Sequence, residues 1–218
     1  MPTRLPLGSE PGQEADPNAL TRDRAIAAAG PKKQIILTFV NRVRLDFART
    51  WVAHVVRLGL TNWLVGATDE GALQSLLAAK TPCFSMRTNL PQGEWDWGSP
   101  SFRALGLHKV QLIHTALRWG LELVITDVDA LVLREPFAFI GQYKGVGFLT
   151  TSDHLGNTSG SRFGGLEDHG ATSSAFNIGY MYFNASAMPL VKAWRDSMFN
   201  RNKWDQGEVT SVQRLKAL

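Results

Sequence analysis

The sequence predicts an α/β protein with a Rossmann-like, mainly parallel twisted sheet that is covered by helices on both faces. Apolar runs such as residues 35–40 are typical of buried strands, amphipathic helical patterns alternate with them, and turn residues separate the two. In sheets of this kind, ligands bind at the carboxyl ends of strands. Polar residues directly after the strands are therefore the first candidates for a functional site.

The composition is that of a folded protein. Its 218 residues, 44% of them hydrophobic, can bury a core, and one domain is expected. The formal charge of +4 comes from scattered basic residues, so we expect no nucleic-acid binding. No stretch approaches the roughly 18–20 apolar residues that a membrane span needs. The single cysteine, Cys83, excludes an intrachain disulfide.

The chain divides into two parts. Residues 1–31 are rich in Pro, Gly and charge and are predicted to form a flexible leader, whereas residues 32–218 form the domain. Asn41 is a plausible N-cap of the first helix of the domain. Residues 88–102 and 151–174 carry many turn residues, so both are expected to be loops. The other predicted elements are strands at 62–68, 121–126, 145–151 and 175–184, and helices at 69–80, 107–120 and 186–199.

Asp127 and Asp129 directly follow the apolar strand at 121–126. In an extended segment, residues two apart point to the same side, so the two carboxylates can converge. Such a pair repels itself unless a cation lies between the two groups. Mg²⁺ or Mn²⁺ held by one or two carboxylates typically completes its shell with phosphate oxygens. The pair therefore indicates a metal–diphosphate site, and the alternative is two solvated turn residues.

Two kinds of chemistry fit such a site. Phosphatases with an aspartyl nucleophile also place Asp-x-Asp after an apolar strand. Their motif needs Thr or Val two residues after the second Asp, where this chain has Leu131, and it normally opens the chain. Glycosyl transfer fits better, because there the metal neutralises the departing nucleoside diphosphate.

Four stretches, by their sequence and their order along the chain, indicate which kind of glycosyl-transfer protein this is. They are LGLTNWLVGATDEGALQSLLAAKTPCF, HKVQLIHTALRWGLELVITDVDALVLREPF, SSAFNIGYMYFNAS and WDQGEVTSVQRL. Together they resemble the nucleotide-diphospho-sugar transferase family that contains plant and algal arabinosyl-, xylosyl- and galactosyltransferases. The resemblance spans about residues 33–215 and implies a GT-A fold.

The resemblance also implies roles for the residues at the strand ends. Asp127 and Asp129 would bind a divalent metal, Mn²⁺ (or Mg²⁺), with Asp129 the more direct ligand and Asp127 shared with the donor's ribose. Thr38 and Asn41, at the end of the first strand, would border the nucleotide. Lys109 would lie near the donor sugar, and its alternative role is that of a solvated residue on a helix face.

The later motifs supply the expected catalytic residues Asn177, Asp205 and Gln206. Asn177 offers donors and an acceptor to sugar hydroxyls, and Gly179 permits close approach to the donor. The alternative for Asn177 is a buried amide satisfied by backbone, and Asp205 can also cap the following helix.

Two departures from the family pattern raise further expectations. Relatives often supply a late His as third metal ligand, and no His follows His169 in this sequence. His154 or His169 can substitute from the polar loop, and the alternative is that each is a solvated loop residue. Relatives also continue beyond the Asp-Gln motif, so we expect a domain that is truncated at its C-terminus.

The resemblance implies a glycosyltransferase that moves a sugar from a nucleoside diphosphate-sugar, expected to be a UDP-sugar, to a glycan or glycoprotein acceptor in the Golgi lumen. It also implies retention of the anomeric configuration. A catalytically inactive relative that binds nucleotide-sugar or glycan is the alternative. Aromatic side chains near the expected site can stack on sugar rings. They are Trp95, Trp97, Phe102 and Trp204, and ordinary packing is the alternative for Trp95 and Trp97.

Overall fold

Six strands form a single sheet. The structure is a computed structural model that describes residues 16–96, 98–153 and 176–201. The strands are β1 (Gln34–Val40), β2 (Trp63–Ala67), β3 (Cys83–Ser85), β4 (Glu122–Thr126), β5 (Phe148–Ser152) and β6 (Phe176–Phe183). Their order across the sheet is β3-β2-β1-β4-β6-β5.

The pairing of the strands confirms the predicted mainly parallel sheet. The central strand β1 pairs in parallel with β2 on one side and with β4 on the other, and β3 continues the parallel set beyond β2. Strand β6 is the exception, because it runs antiparallel to its two neighbours, β4 and β5. Since β5 therefore runs in the same direction as β4, the carboxyl ends of five strands lie at one edge of the sheet.

Helices cover both faces of this sheet, as the sequence predicts. They are α1 (Arg22–Ala29), α2 (Leu45–Arg57), α3 (Glu70–Ala78), α4 (Pro100–Arg118), α5 (Pro136–Ile140) and α6 (Met188–Arg201). Buried residues of α1, α4 and α6 pack with Ile35 and Leu37 of β1, whereas those of α2, α3 and α5 pack with Ile36 and Val40. Alternate residues of β1 thus face opposite layers. In the described ranges, no helix has the length and apolar character that a membrane crossing requires.

The described part of the expected leader belongs to the folded unit. Helix α1 buries Ala25 and Ala29 in the core, because two small side chains on one face allow close packing. The Arg24 guanidinium donates to the Cys83 carbonyl at 2.9 Å, and the Ser85 N–H donates to the Asn18 carbonyl at 2.8 Å. Residues 18 and 19 therefore lie beside β3 and α1 packs on one face of the sheet, which differs from the expectation of flexibility over that part of 1–31.

The fourth helix starts within the segment that was expected to be a loop. Helix α4 begins at Pro100, so the predicted loop at 88–102 is too long and the predicted helix at 107–120 starts too late. Ser99 accepts a hydrogen bond from the Phe102 N–H at 3.2 Å, and Pro100 occupies the first turn, where a missing N–H is tolerated. The Ser-Pro pair is therefore a helix start here. The earlier start carries Phe102 and Leu105 to the same edge of the sheet as the strand ends.

Candidate active site

A cleft of about 560 Å³ opens at the carboxyl ends of β1 and β4. These two strands are neighbours, and the chain connects outward from them in opposite directions, which is where parallel α/β sheets bind ligands. The walls come from the end of β1 and the turn after it, from residues 94 and 95, from α4, from residues 127–129 and from residues 177–179. The cleft therefore collects residues from distant parts of the sequence.

Asp127 and Asp129 both line this cleft, but not in an extended segment as the sequence suggested. The Ala130 N–H donates to the Asp127 carbonyl at 3.0 Å, so the chain turns directly after β4. Asp129 is exposed on this turn, and the Asp127 side chain is 42% exposed. The alternative interpretation, two solvated turn residues, is therefore right about the turn. The same turn nevertheless brings the two carboxylates to one opening.

Lys109 lies beneath Asp127 rather than on a solvated helix face. Its side chain is 3% exposed, and its ammonium donates to Asp127 Oδ1 and to the Ile178 carbonyl, each at 2.7 Å. The neighbouring His108 contacts the Thr88 carbonyl, and burial lowers the pKa of its imidazole, which the contact with that carbonyl only partly counteracts. His108 is therefore neutral near pH 7, and Lys109 is the cation that this part of α4 brings to the cleft.

The side chain of Asn177 is held by a network of hydrogen bonds at the edge of the cleft. Its Oδ1 accepts from the Gly179 N–H at 2.8 Å and from the Thr151 hydroxyl at 3.2 Å. Its Nδ2 donates to Asp153 Oδ1 at 2.7 Å. The residue is only partly buried, so the alternative of a buried amide does not hold. One amide N–H of Asn177 is not used by these bonds.

Asp153, which the sequence did not reveal, is hydrogen-bonded to the cleft residue Asn177. It directly follows β5, whose carboxyl end lies at the same edge of the sheet as that of β4. The sequence placed it in the polar segment 151–174, and its position after a strand was the signal that could have found it. Asp153 thus places a carboxylate beside Asn177, on the side of β5.

The two residues predicted at the end of β1 have different positions. Asn41 lines the cleft, and its Oδ1 accepts from the Arg44 N–H at 3.1 Å, while its Nδ2 donates to the Gly93 carbonyl at 2.9 Å. Thr38 is fully buried and is not among the lining residues. It lies in a central strand that is covered on both faces, so the prediction that Thr38 borders the nucleotide places it too close to the surface.

A wall of the cleft comes from the loop before α4 and the turn after β1. Arg44 pairs with Glu94 across this wall, with 3.0 Å between Nη2 and Oε1, and both side chains are at least half exposed. Trp95 and Phe102, which the sequence singled out for stacking, line the same side. Arg44 and Glu94 were not identified from the sequence, because a charged residue in a turn carries no pattern that indicates a role.

Several predicted site residues lie outside the described residues. They are Asp205, Gln206, His154, His169, Trp97 and Trp204. Their roles stay predictions.

The described side chains fit a metal that is shared with a diphosphate. Asp127 and Asp129 offer carboxylate oxygens, which hard divalent cations prefer. Within the described ranges, no group of three or more His, Cys, Asp and Glu side chains is arranged to hold a metal ion. Two carboxylates that leave the remaining positions to phosphate oxygens are the donor set that Mg²⁺ and similar ions typically use.

Comparison with known sequences gives the same family that the motifs suggested. The model of the family "Nucleotide-diphospho-sugar transferase" matches residues 58–217. The chain is similar to the arabinosyltransferase XEG113 of Arabidopsis thaliana, with 34% identity over 183 residues, which is 83% of this chain and 28% of that protein. It is 23% identical to the arabinosyltransferase RRA2 of the same plant, over 80% of this chain and 43% of that protein. The chain thus spans less than half the length of these relatives.

Comparison with solved structures concerns the fold alone. The bifunctional glycosyltransferase WbbM superimposes with a TM-score of 0.50 at 10% sequence identity, over 83% of this chain and 37% of that one. The superposition supports the GT-A-like α/β fold, and at such low sequence identity it carries no information about substrates. Because the family model matches most of the chain, this protein belongs to the nucleotide-diphospho-sugar transferase family.

Proposed function

We propose that this cleft binds a nucleoside diphosphate-sugar together with a divalent metal and transfers the sugar to a glycan or glycoprotein acceptor. The observation that carries this proposal is the meeting of Asp127 and Asp129 with Asn177 and Gly179 at one opening. Carboxylates suit a metal–diphosphate, and an amide beside a glycine suits a sugar.

The residues of the cleft divide this work. Asp127 and Asp129 would hold Mn²⁺ (or Mg²⁺), which when bound offsets the negative charge of the departing diphosphate. The amide N–H of Asn177 that makes no bond to a described residue can donate to a sugar hydroxyl, and Asp153 fixes the orientation of that amide. Gly179 leaves the space in front of Asp127 open, since a Cβ there would lie 3.5 Å from Asp127 Oδ2. Asp205 and Gln206 remain predicted contacts of the sugar or the acceptor.

The family and its relatives guide the choice of substrates. UDP is the nucleotide that the family resemblance favours, and arabinose is the first sugar to test, because the two relatives above are named arabinosyltransferases. The side chains of Trp95 and Phe102 can offer apolar surface to a sugar or base. The Golgi lumen is the proposed compartment.

A donor panel tests the proposal. The protein is incubated with UDP-arabinose, UDP-xylose, UDP-galactose and UDP-glucose, with Mn²⁺ or with a chelator, and released UDP is measured. We expect Mn²⁺-dependent release from at least one donor, and none in Asp129→Ala. Metal-dependent binding without turnover would favour the inactive nucleotide-sugar-binding relative. The absence of both binding and release would refute the proposed donor site.

A further inference from the structure

The ammonium of Lys109 is enclosed under the metal-binding end of the cleft. Besides its two hydrogen bonds of 2.7 Å, to Asp127 Oδ1 and to the Ile178 carbonyl, it lies 5.6 Å from the centre of the Phe39 ring. The residue is 2% exposed. A buried cation retains its charge only where it is paired and hydrogen-bonded, so the Asp127 carboxylate is its fixed counterion.

This pairing makes the two aspartates electrostatically unequal. A divalent cation that approaches Asp127 also meets the nearby ammonium of Lys109. Two positive charges at such a short distance repel each other strongly where water is excluded. Asp129, by contrast, is exposed and makes no ion pair with another described residue. Without a ligand, the net charge at Asp127, Asp129 and Lys109 is close to that of one carboxylate.

The contacts of Lys109 also fix geometry. Its two bonds tie the end of β4, at Asp127, to the middle of the Asn177–Gly179 segment of β6. The same two segments are joined by the bond from the Asp127 N–H to the Gly179 carbonyl, at 2.8 Å. Lys109 therefore holds Asp127 Oδ1 in one position, while Oδ2 lies beside Gly179, 3.5 Å from where a Cβ of that residue would be.

We propose that Lys109 is a positioning residue that orients Asp127 and offsets its charge, so that the cleft takes up a divalent metal efficiently only together with a diphosphate. The inference rests on the proposed function, because the diphosphate supplies the negative charge that the paired aspartate lacks. Metal alone then binds weakly through Asp129. The metal–diphosphate binds tightly, since its phosphate oxygens complete the shell.

The test measures Mn²⁺ binding without turnover. The electron paramagnetic resonance signal of free Mn²⁺ reports its Kd for wild type, Lys109→Met and Lys109→Arg, with and without UDP. In Lys109→Met, we expect Mn²⁺ alone to bind at least about tenfold more tightly than in wild type, because the repelling charge is gone. The gain in affinity from UDP should shrink. Lys109→Arg should keep the wild-type Kd for Mn²⁺ alone.

This readout separates charge compensation from a merely structural role. Loss of structural support would weaken Mn²⁺ binding, whereas the proposal requires that it becomes tighter. A Lys109→Met protein that is folded by circular dichroism and binds Mn²⁺ no more tightly than wild type would overturn the inference.

A second comparison decides the case if Lys109→Met does not fold. Asp127→Asn should weaken the binding of Mn²⁺ alone by roughly tenfold, because it leaves the Lys109 ammonium without its counterion, whereas Asp129→Asn should abolish this binding, because Asp129 is the ligand without a paired cation. Equal losses in the two variants would contradict the inference. If wild type binds UDP with Mn²⁺ but shows such equal losses, only the inference fails. If wild type binds no UDP with Mn²⁺ at all, the proposed function fails with it.

Discussion

The backbone N–H of Asp127 donates to the carbonyl of Gly179 at 2.8 Å. This bond continues the antiparallel pairing of β4 with β6 by one step beyond Thr126, which pairs with Tyr180. The Asp-x-Asp turn and the Asn-x-Gly segment thus share one stretch of sheet, although some fifty residues separate them in the sequence. The geometry of each motif therefore depends on the other.

The first prediction concerns the space at Gly179. A Cβ at this position would lie 2.9 Å from Asn177 Oδ1, closer than real Cβ contacts come. We expect Gly179→Ala to displace the Asn177 amide from its position in the cleft. Returning the amide to that position when the donor binds should cost about 1–3 kcal/mol. Donor affinity should fall by roughly tenfold for each 1.4 kcal/mol of this cost. Isothermal titration with UDP-sugar and Mn²⁺ measures this loss.

A double variant is the control for that prediction. Asn177→Ala removes the atom that the new methyl group would meet. Adding Gly179→Ala to Asn177→Ala should therefore cost little further affinity, because the two changes act on one contact. Additive losses in the double variant would show that the clash with Asn177 is not the cause.

The second prediction compares two buried threonines in neighbouring strands. The Trp51 indole N–H donates to Thr126 Oγ1 at 2.9 Å, and both residues are fully buried. Thr126→Val leaves that N–H unpaired, so we expect the free energy of unfolding to fall by about 1–3 kcal/mol. Urea unfolding followed by tryptophan fluorescence measures the change.

Thr38→Val is the matched control. Thr38 is as buried as Thr126, but its hydroxyl oxygen has no hydrogen-bond partner among the described residues. Replacing an unpaired buried hydroxyl by a methyl group of similar shape should leave stability unchanged or raise it. A loss in Thr38→Val as large as that in Thr126→Val would count against this account of the two sites.

The third prediction concerns pH. Burial, and then the Arg195 and Arg118 charges, lower the pKa of His114 below its usual value of 6.5. Burial also lowers the pKa of His108. The unfolded chain therefore binds more protons than the folded protein once the pH falls through about 6.5. Stability from these two groups is complete above that pH and is lost as the pH falls toward their folded-state pKa.

Urea unfolding at about pH 7.5 and about pH 5.5 measures this dependence. We expect wild type to lose stability over the interval and His114→Gln to lose less, because one of the two depressed groups is gone. A His114→Gln protein with the same pH dependence as wild type would rule out this residue as a source.

The fourth prediction concerns the wall of the cleft at 92–96. Asn41 connects this loop to β1 through the bond from its Nδ2 to the Gly93 carbonyl, and it caps the turn at Arg44. Asn41→Ala leaves the exposed Arg44–Glu94 pair as a remaining link, and exposed ion pairs contribute little. Hydrogen exchange at 92–96 should become faster, and stability should fall by about 1 kcal/mol.

Asn62→Ala is the control for this variant. Asn62 Nδ2 makes a similar bond of 2.9 Å to the Gln34 carbonyl, at the opposite end of β1. We expect hydrogen exchange at 92–96 in Asn62→Ala to match that of wild type. Faster exchange in both variants would indicate a general loss of stability rather than release of the loop.

The strands and the Asp-x-Asp position could be predicted because their signals are local. Apolar runs at 35–40 and 121–126 mark buried strands wherever they pack, and the chain leaves such a strand at its carboxyl end. Asp127 and Asp129 thus reach the cleft whatever their exact conformation. Asn177 and Gly179 were also placed there, but by the family motif rather than by periodicity.

The partners of these residues could not be predicted, because they depend on contacts distant in the sequence. Lys109 meets Asp127 only because α4 packs over the end of β4, and a lysine in a helical pattern otherwise indicates a solvated position. Asp153 reaches Asn177 through the pairing of β5 with β6. For Thr38 the opposite happened: it was expected to border the nucleotide, but it is fully buried, as a polar residue in a central strand can be.

Asp129 and its neighbours are proposed to bind a metal–diphosphate, and a titration with UDP measures this binding. Binding of UDP is measured by calorimetry with Mn²⁺ and with a chelator, in wild type, in Asp129→Ala and in Asp23→Ala, whose aspartate is exposed on α1. We expect Mn²⁺-dependent binding that Asp23→Ala retains and Asp129→Ala abolishes. An unchanged affinity in Asp129→Ala would contradict the site itself.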